Sequence, residues 1–273
     1  MKILIAVDME GITGVTTWDQ VTPGHAEYAR FRKLMTQDVN AAIRGAIDAG
    51  ADEVIVADGH WNGSNILIEE LDPRARLNSG SPSPFSMMQG IDETVDGVFF
   101  VGYHARMGTP NAILDHTWSS KTVSNVWLND VLTGEFGLNG AVAGHFGVPV
   151  IMATGDQTAC AQIIEQLGEM ETAVVKQATG RFAAEVLAPQ VTHEMIYMAA
   201  TRAMQRLQDN DVPEPFVLDT PIRVAVEFFT SDMADRASKI PFTQRDGRCV
   251  SMSVSEMASA YSGFRSMVML AIG

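Results

Sequence analysis

Hydrophobic residues in the first two thirds of the chain alternate between short continuous runs and helical spacing. Continuous apolar runs of strand length occur in KILIAVD, DEVIVADGH, DGVFFVGYHA and VPVIMATGD. Helical spacing separates the first two runs over residues 31–50, which end at Gly50, and returns in TACAQIIEQLG after the last run. This alternation predicts a three-layer α/β/α domain with a largely parallel sheet that helices cover on both faces.

The pattern changes in the middle of the chain and again toward its end. TVSNVWLNDVLTGEFG alternates and contains turn signals, which predicts a hairpin or an irregular excursion. The last third contains a helical segment, THEMIYMAATRAMQRLQD, a linker, VPEPF, two strands, IRVAVEFF and RCVSMSVS, and a final helix, SEMASAYSGFRSMVMLAI. We therefore expect a catalytic-type α/β domain over residues 1–175 and a smaller α+β unit over residues 176–273, with an approximate boundary.

The composition excludes several classes of protein. The chain has 273 residues and a formal net charge of −14, which argues against binding to nucleic acid. No uninterrupted apolar run is long enough to span a membrane, and the apolar stretch before Asp8 is too short for a signal peptide. The two cysteines, Cys160 and Cys249, lack metal-ligand spacing and are expected to be buried free thiols. A cytoplasmic location is therefore expected.

Residues that can bind a cation follow three of the predicted strands. The first strand leads into Asp8 and Glu10, the second into Asp58 and His60, and the third into His104. Ligand sites in parallel α/β sheets form outside the carboxyl ends of the strands, so these side chains are expected to meet in one crevice. Each has an ordinary structural role as well, because a lone Asp at a strand end usually caps a turn and a lone His is usually hydrogen-bonded core. Their coincidence at three strand ends favours a metal site.

Asp8 and Glu10 need a counter-charge. Positions i and i+2 of a strand point to the same face, and two carboxylates roughly 4–5 Å apart repel by about 3–4 kcal/mol at an effective dielectric near 20. A bound cation converts that repulsion into attraction. Imidazole and carboxylate ligands without thiolate suit zinc, with manganese or cobalt as alternatives, and a carboxylate-rich site is typical of catalytic rather than structural zinc. His116 and Glu135 are weaker candidates to complete the site, whereas His25, His145 and His193 are expected to be structural.

With these residues assembled, the sequence resembles the zinc-dependent D-aminopeptidase family. The matching stretches are VDMEGITG, ADGHWNG, PFSMMQGID, VGYHARMGTP, LNDVLTGEFGLNG, VPVIMATGD and TAVVKQATGR. They run in the family's order through the first two thirds of the chain, and the tail is similar only in general pattern. Two positions depart from the family's pattern: Ala6 replaces the serine that usually begins the acidic motif, and Gln157 replaces the second of two aspartates.

The resemblance implies an active site. It places two divalent metal ions, expected to be Zn2+, on Asp8, Glu10, His60, His104 and Glu135. It makes His116 the catalytic residue, which would stabilise the oxyanion or donate a proton to the leaving amine. Asp58 is expected to support a metal ligand rather than bind an ion, with capping of the following turn as the alternative.

The resemblance also implies the substrate and the assembly. It predicts hydrolysis of short peptides from a free amino end, with D-residues favoured, by a homo-oligomer of stacked rings in which the smaller unit takes part in subunit contacts. Two other functions remain open. Binuclear phosphoesterases use similar ligands, although Arg106 and Lys121 are the only basic residues near these motifs, and a non-catalytic peptide-binding accessory of a transporter is also conceivable. No phosphate-cradling glycine motif occurs, which disfavours a nucleotide cofactor.

Overall fold

Residues 1–272 form two β-sheets and seven α-helices. The computed structural model describes residues 1–272. In chain order the strands are β1 (Lys2–Val7), β2 (Glu53–Asp58), β3 (Ala75–Asn78), β4 (Gly97–Val101), β5 (Val123–Leu128), β6 (Val131–Thr133), β7 (Val150–Asp156), β8 (Glu171–Gly180), β9 (Ala183–Val186), β10 (Ile222–Phe228), β11 (Gln244–Asp246) and β12 (Cys249–Val254).

The helices are distributed along the whole chain. They are α1 (Trp18–Val21), α2 (Tyr28–Asp48), α3 (Glu135–His145), α4 (Gln157–Leu167), α5 (Pro189–Gln208), α6 (Ser231–Ala237) and α7 (Met257–Ile272), with a 3-10 turn at Ser86–Met88. As predicted, Gly50 closes α2, with a φ of +101° that favours glycine. Across residues 1–272, no helix combines the length and the hydropathy that a membrane crossing requires.

The larger sheet has seven strands in the order β3-β2-β1-β4-β7-β8-β9. All neighbouring pairs are parallel except β8–β9, which is antiparallel. The chain moves from β1 outward to β2 and β3, then returns to the other side of β1 at β4. This reversal places a crevice at the carboxyl ends of β1 and β4, which is where sites form in open α/β sheets.

Helices and the smaller sheet cover the two faces of the larger sheet. In β1, Ile3, Ile5 and Val7 pack into the core formed with α2 and α5. Leu4 and Ala6 point the other way, into the core formed with α3, α4 and α7. Alternate residues of a strand face opposite sides, so a strand that is buried on both faces must be continuously apolar. The predicted α/β class with a largely parallel sheet is confirmed.

The smaller sheet is antiparallel and joins two distant parts of the chain. Its order is β11-β12-β10-β5-β6, so the predicted hairpin at β5–β6 pairs through β5 with β10 from the tail. The expected boundary at residue 175 lies inside β8, and α5 packs on the larger sheet with α2. The division between the sheets therefore does not coincide with the division of the chain into residues 1–175 and 176–273.

The segments that follow β1 and β4 approach each other backbone to backbone. Asp8 N–H donates to the carbonyl of Val101 over 2.9 Å, and Gly11 N–H donates to the carbonyl of Gly102 over 2.8 Å. A Cβ at Gly11 would lie 2.0 Å from the carbonyl oxygen of Tyr103, and Gly102 has a φ of +77°. Only glycine fits these two positions. The close crossing brings the acidic motif beside the histidine that follows β4.

Candidate metal centre

The strand ends and one helix start bring six polar side chains together. Asp8 and Glu10 follow β1, His60 follows β2, and His104 follows β4, while Glu135 is the first residue of α3. His116 comes from the irregular segment after β4. We call these six residues the ligand cluster: Asp8, Glu10, His60, His104, His116 and Glu135. Each is between 2% and 7% exposed, so the charges lie beneath the surface.

Asp8 occupies the centre of the ligand cluster. Its Oδ1 lies 3.1 Å from His60 Nδ1, and its Oδ2 lies 3.2 Å from His104 Nε2. Glu10 Oε2 is 3.2 Å from the same nitrogen of His60, and Glu135 Oε1 is 3.1 Å from the same nitrogen of His104. The five predicted ligands therefore form two groups that share the Asp8 carboxylate.

In their neutral form the histidines direct lone pairs toward these carboxylates. His60 Nε2 lies 2.7 Å from the carbonyl of Val21, His104 Nδ1 lies 3.0 Å from that of Ala105, and His116 Nδ1 lies 2.8 Å from that of Leu114. A carbonyl only accepts, so each of these nitrogens carries a hydrogen. In the neutral rings, the nitrogens that face the carboxylates are then acceptors as well.

An inward-facing set of acceptors calls for a cation. Glu10 Oε2 and His104 Nε2 are buried without a hydrogen-bond partner. Within residues 1–272, no lysine or arginine forms an ion pair with Asp8, Glu10 or Glu135. Asp8, Glu10 and His104 form one set of ligand atoms close enough to hold an ion, and His104, His116 and Glu135 form another. Carboxylate and imidazole without thiolate is a donor set that suits zinc.

Without an ion, protons take over part of this role. Burial lowers the pKa of His60 and of His104, but the carboxylates of Glu10, Asp8 and Glu135 outweigh it and raise both values well above the ordinary one. Burial raises the pKa of Asp8, but the adjacent imidazoles of His104 and His60 hold the pKa of this carboxyl well below its usual range. A metal ion must therefore displace protons from the imidazoles, which makes its binding pH-dependent.

His116 differs from the other two histidines. Its Nε2 is 3.7 Å from Glu135 Oε1 and 3.9 Å from Glu10 Oε1, farther than the contacts around Asp8. Its ring stacks on His104 with a centroid separation of 3.9 Å, and Trp18 packs edge-on against it at 5.4 Å. Burial and the neighbouring His104 lower the pKa of His116, which keeps its ring neutral.

Several contacts hold the segment that carries His116. Asp115 accepts from Arg181 over 2.9 Å. Asp156, which caps α4, also accepts from Ile113 N–H over 2.7 Å. Gln157, the position that departs from the family's pattern, donates to the carbonyl of Asn111 and pairs with the backbone of residue 178. Gln157 thus makes its own bonds to this segment.

Asp58 organises the turn that carries His60. Its carboxylate accepts from the backbone N–H groups of Asn65 and Ile66 and from the side-chain amide of Asn65. That amide also donates to the carbonyl of His60 over 2.6 Å. Asp58 therefore caps the following turn, and through Asn65 the same bonds reach the backbone of His60. Burial raises the pKa of Asp58.

Glu135 connects the ligand cluster to the C-terminal helix. Its Oε1 accepts from the backbone N–H of Trp118 over 2.7 Å, and its place in the first turn of α3 suits a negative charge. The Trp118 ring packs edge-on against Tyr261 and Phe264 of α7. Helix α7 thus supports the position of Glu135 through Trp118.

Lys176 and Asp38 are buried charges that sequence reasoning missed. Lys176 Nζ donates to the carbonyls of Glu10, Ile12 and Val15. Asp38 accepts from the backbone N–H and hydroxyl of Thr13 in the same loop. Burial lowers the pKa of Lys176 to about 7, against the opposing charges of Asp156, Asp38 and Glu10. The available signal was a lysine inside the apolar strand pattern TAVVKQATG.

The remaining predicted structural residues lie apart from the ligand cluster. His25 pairs with Asp19 at the surface, His145 is exposed at the end of α3, and His193 lies 3.2 Å from Asp38. Ala6 is fully buried in the core of the larger sheet. Both cysteines are free thiols, although Cys249 is only half-buried.

The fold and the ligand cluster together define a metallohydrolase-type site at the carboxyl edge of a parallel sheet. The comparisons name the class more closely. The model of the D-aminopeptidase family matches residues 1–266, and the chain belongs to this family. The chain is 36% identical over 275 residues to the D-aminopeptidase of Bacillus subtilis (strain 168), covering 100% of this chain and 98% of that protein. The expected family and the expected peptidase class are confirmed.

A solved structure gives the same answer. The chain superposes with a TM-score of 0.96 and 35% identity on the zinc-dependent D-aminopeptidase DppA of Bacillus subtilis, which is described as a self-compartmentalizing protease. The match covers 100% of this chain and 98% of that chain. The whole architecture, including the smaller sheet, is therefore shared with this relative.

The raised pKa values of His60 and His104 predict that the stability of the metal-free protein and the stabilisation by added zinc change in opposite directions as the pH rises. In metal-free protein, the protonated imidazoles stabilise the fold at low pH, and this stabilisation is lost as the pH rises above about 6.5 through the raised values. Zinc competes with those protons, so the gain in Tm on adding zinc should grow from pH 6.5 to pH 8.5. Thermal melts with EDTA or zinc measure it, with the exposed His25→Ala variant as a control. A zinc-induced gain that does not change with pH would contradict this explanation.

Proposed function

We propose that the protein is a binuclear metal aminopeptidase that hydrolyses short peptides from a free amino end and favours D-residues. The observation that carries the proposal is that Asp8 contacts both His60 and His104, so that two buried sets of carboxylate and imidazole side chains share its carboxylate. Asp8, Glu10 and His60 would hold one ion, and Asp8, His104 and Glu135 the other. Membership of the family and the zinc dependence of the DppA relative support zinc as the metal, with manganese or cobalt as alternatives.

The chain's own residues supply binding geometry and proton transfer. When bound, zinc polarises a carbonyl and lowers the pKa of coordinated water to about 7. His116 has a neutral ring whose Nδ1 hydrogen is fixed on the carbonyl of Leu114, so its Nε2 lone pair faces the cluster. In our proposal this Nε2 accepts a proton from the attacking water, whose oxygen bonds to the scissile carbonyl carbon, and passes that proton to the leaving amine nitrogen as the C–N bond breaks. Trp18 packs edge-on against this ring, with the ring centroids 5.4 Å apart.

We also propose that the protein is a cytoplasmic homo-oligomer with an internal active-site space. The description of the DppA relative as self-compartmentalizing supports this assembly. Exposed apolar side chains at the end of α7 provide a surface for subunit contacts: Met269, Leu270 and Ile272. The C-terminal unit would thus contribute both to assembly and, through Trp118, to the position of Glu135.

A substrate panel tests the proposed reaction. Purified protein is incubated with D-Ala-D-Ala, L-Ala-L-Ala and D-Ala amide before chelation, after chelation, and after zinc or manganese is added back. We expect release of D-Ala from the D-substrates, loss of activity on chelation, and recovery with zinc. A matched phosphoester substrate is the control for the phosphoesterase alternative. Activity that survives complete metal removal, or that appears only with phosphoesters, would refute the proposal.

The role of His116 is tested separately from metal binding. The His116→Ala variant should keep its metal content and lose about 10²–10⁴-fold in kcat, because a general acid–base group is removed while the shared carboxylate remains. His104→Ala should lose metal and activity together, and His145→Ala, an exposed histidine, is the control. Metal analysis and steady-state kinetics on the same samples give both readouts. Loss of an ion from the His116 variant would make His116 a ligand instead.

A further inference from the structure

Lys176 is a buried cation that the proposed mechanism does not use. Its side chain is fully buried in β8, and it forms no ion pair with a carboxylate in the described part of the chain. Instead its Nζ donates to the carbonyls of Glu10, Ile12 and Val15 over 2.6, 2.9 and 2.8 Å. An ammonium has three hydrogens, so every donor of Lys176 is satisfied by backbone.

All three carbonyls belong to the loop of residues 10–15 that leaves β1. Three carbonyl dipoles that converge on one point repel each other unless hydrogen-bond donors or a cation lie there. The Nζ of Lys176 supplies those donors and so stabilises this loop conformation. Asp38 accepts from the N–H and the hydroxyl of Thr13 in the same loop, so a buried basic and a buried acidic side chain hold one backbone segment.

The loop begins at a member of the ligand cluster. Lys176 donates to the carbonyl of Glu10, and the N–H at the other end of the same peptide group, that of Gly11, donates to the carbonyl of Gly102. With the peptide group that follows it held at both ends, Glu10 places Oε2 at 3.2 Å from His60 Nδ1. Glu135 has no such link to Lys176, since its backbone lies in α3 and its carboxylate accepts from Trp118.

We propose that Lys176 is a positioning residue for one of the two metal positions, the one formed by Glu10 and His60, and leaves the Glu135 position unaffected. This inference rests on the proposed function of the ligand cluster. It goes further by giving a residue outside the cluster a selective effect on one ion. Residues that orient metal ligands without touching the ion typically change metal affinity by about 10–100-fold.

The test is a zinc titration of metal-depleted, full-length protein by calorimetry. Lys176→Met keeps the length and apolar stem of the side chain and removes its charge and donors. We expect two zinc sites in the unmodified protein and, in Lys176→Met, a loss of about 10–100-fold in affinity at one of them. Glu10→Gln and Glu135→Gln identify which site has weakened. Val250→Ala, in the core of the smaller sheet, controls for lost stability.

Double variants separate positioning from a general structural role. Glu10→Gln combined with Lys176→Met should bind zinc no more weakly than Glu10→Gln alone, whereas Glu135→Gln combined with Lys176→Met should lose affinity at both sites. Three results would overturn this inference while leaving the proposed function intact: equal loss of zinc affinity at both sites in Lys176→Met, a loss no greater than in Val250→Ala, or no loss. Failure of the unmodified protein to bind zinc would overturn the proposed function as well.

A second variant covers the case in which Lys176→Met does not fold. Lys176→Gln retains a side-chain amide that can donate to some of the three carbonyls. It should therefore fold and lose zinc affinity at the same one site, by a smaller factor. Circular dichroism and Tm are recorded for each variant beside the titration. Selective loss at the site identified by Glu10→Gln supports the inference, and loss at the site identified by Glu135→Gln contradicts it.

Discussion

Repulsion among buried acceptors is the constraint on which the rest of the site depends. Three carboxylates and the lone pairs of three imidazoles face one another beneath the surface, with Asp8 between His60 and His104. Unpaired buried charge is costly, so this arrangement is stable only when protons or metal ions occupy the space between the acceptors. The structure therefore keeps mutually repelling acceptors close together, and a divalent cation bound between them converts the repulsion into attraction.

Backbone hydrogen bonds hold the segments that carry these acceptors in place. The segments after β1 and β4 cross at Gly11 and Gly102, where hydrogen bonds fix them and side chains are excluded. Lys176 donates hydrogen bonds to the carbonyls of the loop that begins at Glu10, and Trp118 connects Glu135 to the C-terminal helix. These contacts hold the backbone at Glu10 and the carboxylate of Glu135 in place. Preorganisation of this kind lowers the cost of ordering ligands when an ion binds.

Sequence patterns predicted the parts of this structure that depend on local order. Continuous apolar runs revealed the parallel strands, and the carboxyl ends of those strands identified Asp8, Glu10, His60 and His104, which the structure brings together. The pairing of β5 with β10 was not predictable, because strand partners a hundred residues apart leave no local signal. Lys176 was missed for a related reason: its partners are backbone carbonyls, and backbone groups carry no residue identity in a sequence. The local pattern made Glu135 and His116 only weak candidates, and the family resemblance supplied their roles as metal ligand and catalytic residue.

The central claim is that divalent ions lie on both sides of the Asp8 carboxylate. Anomalous X-ray scattering at the zinc edge, from crystals grown with zinc, tests it most directly. The account predicts two anomalous peaks that share Asp8, one beside Glu10 and His60 and the other beside His104 and Glu135. Crystals in which these side chains point apart, with no anomalous peak among them, would contradict it.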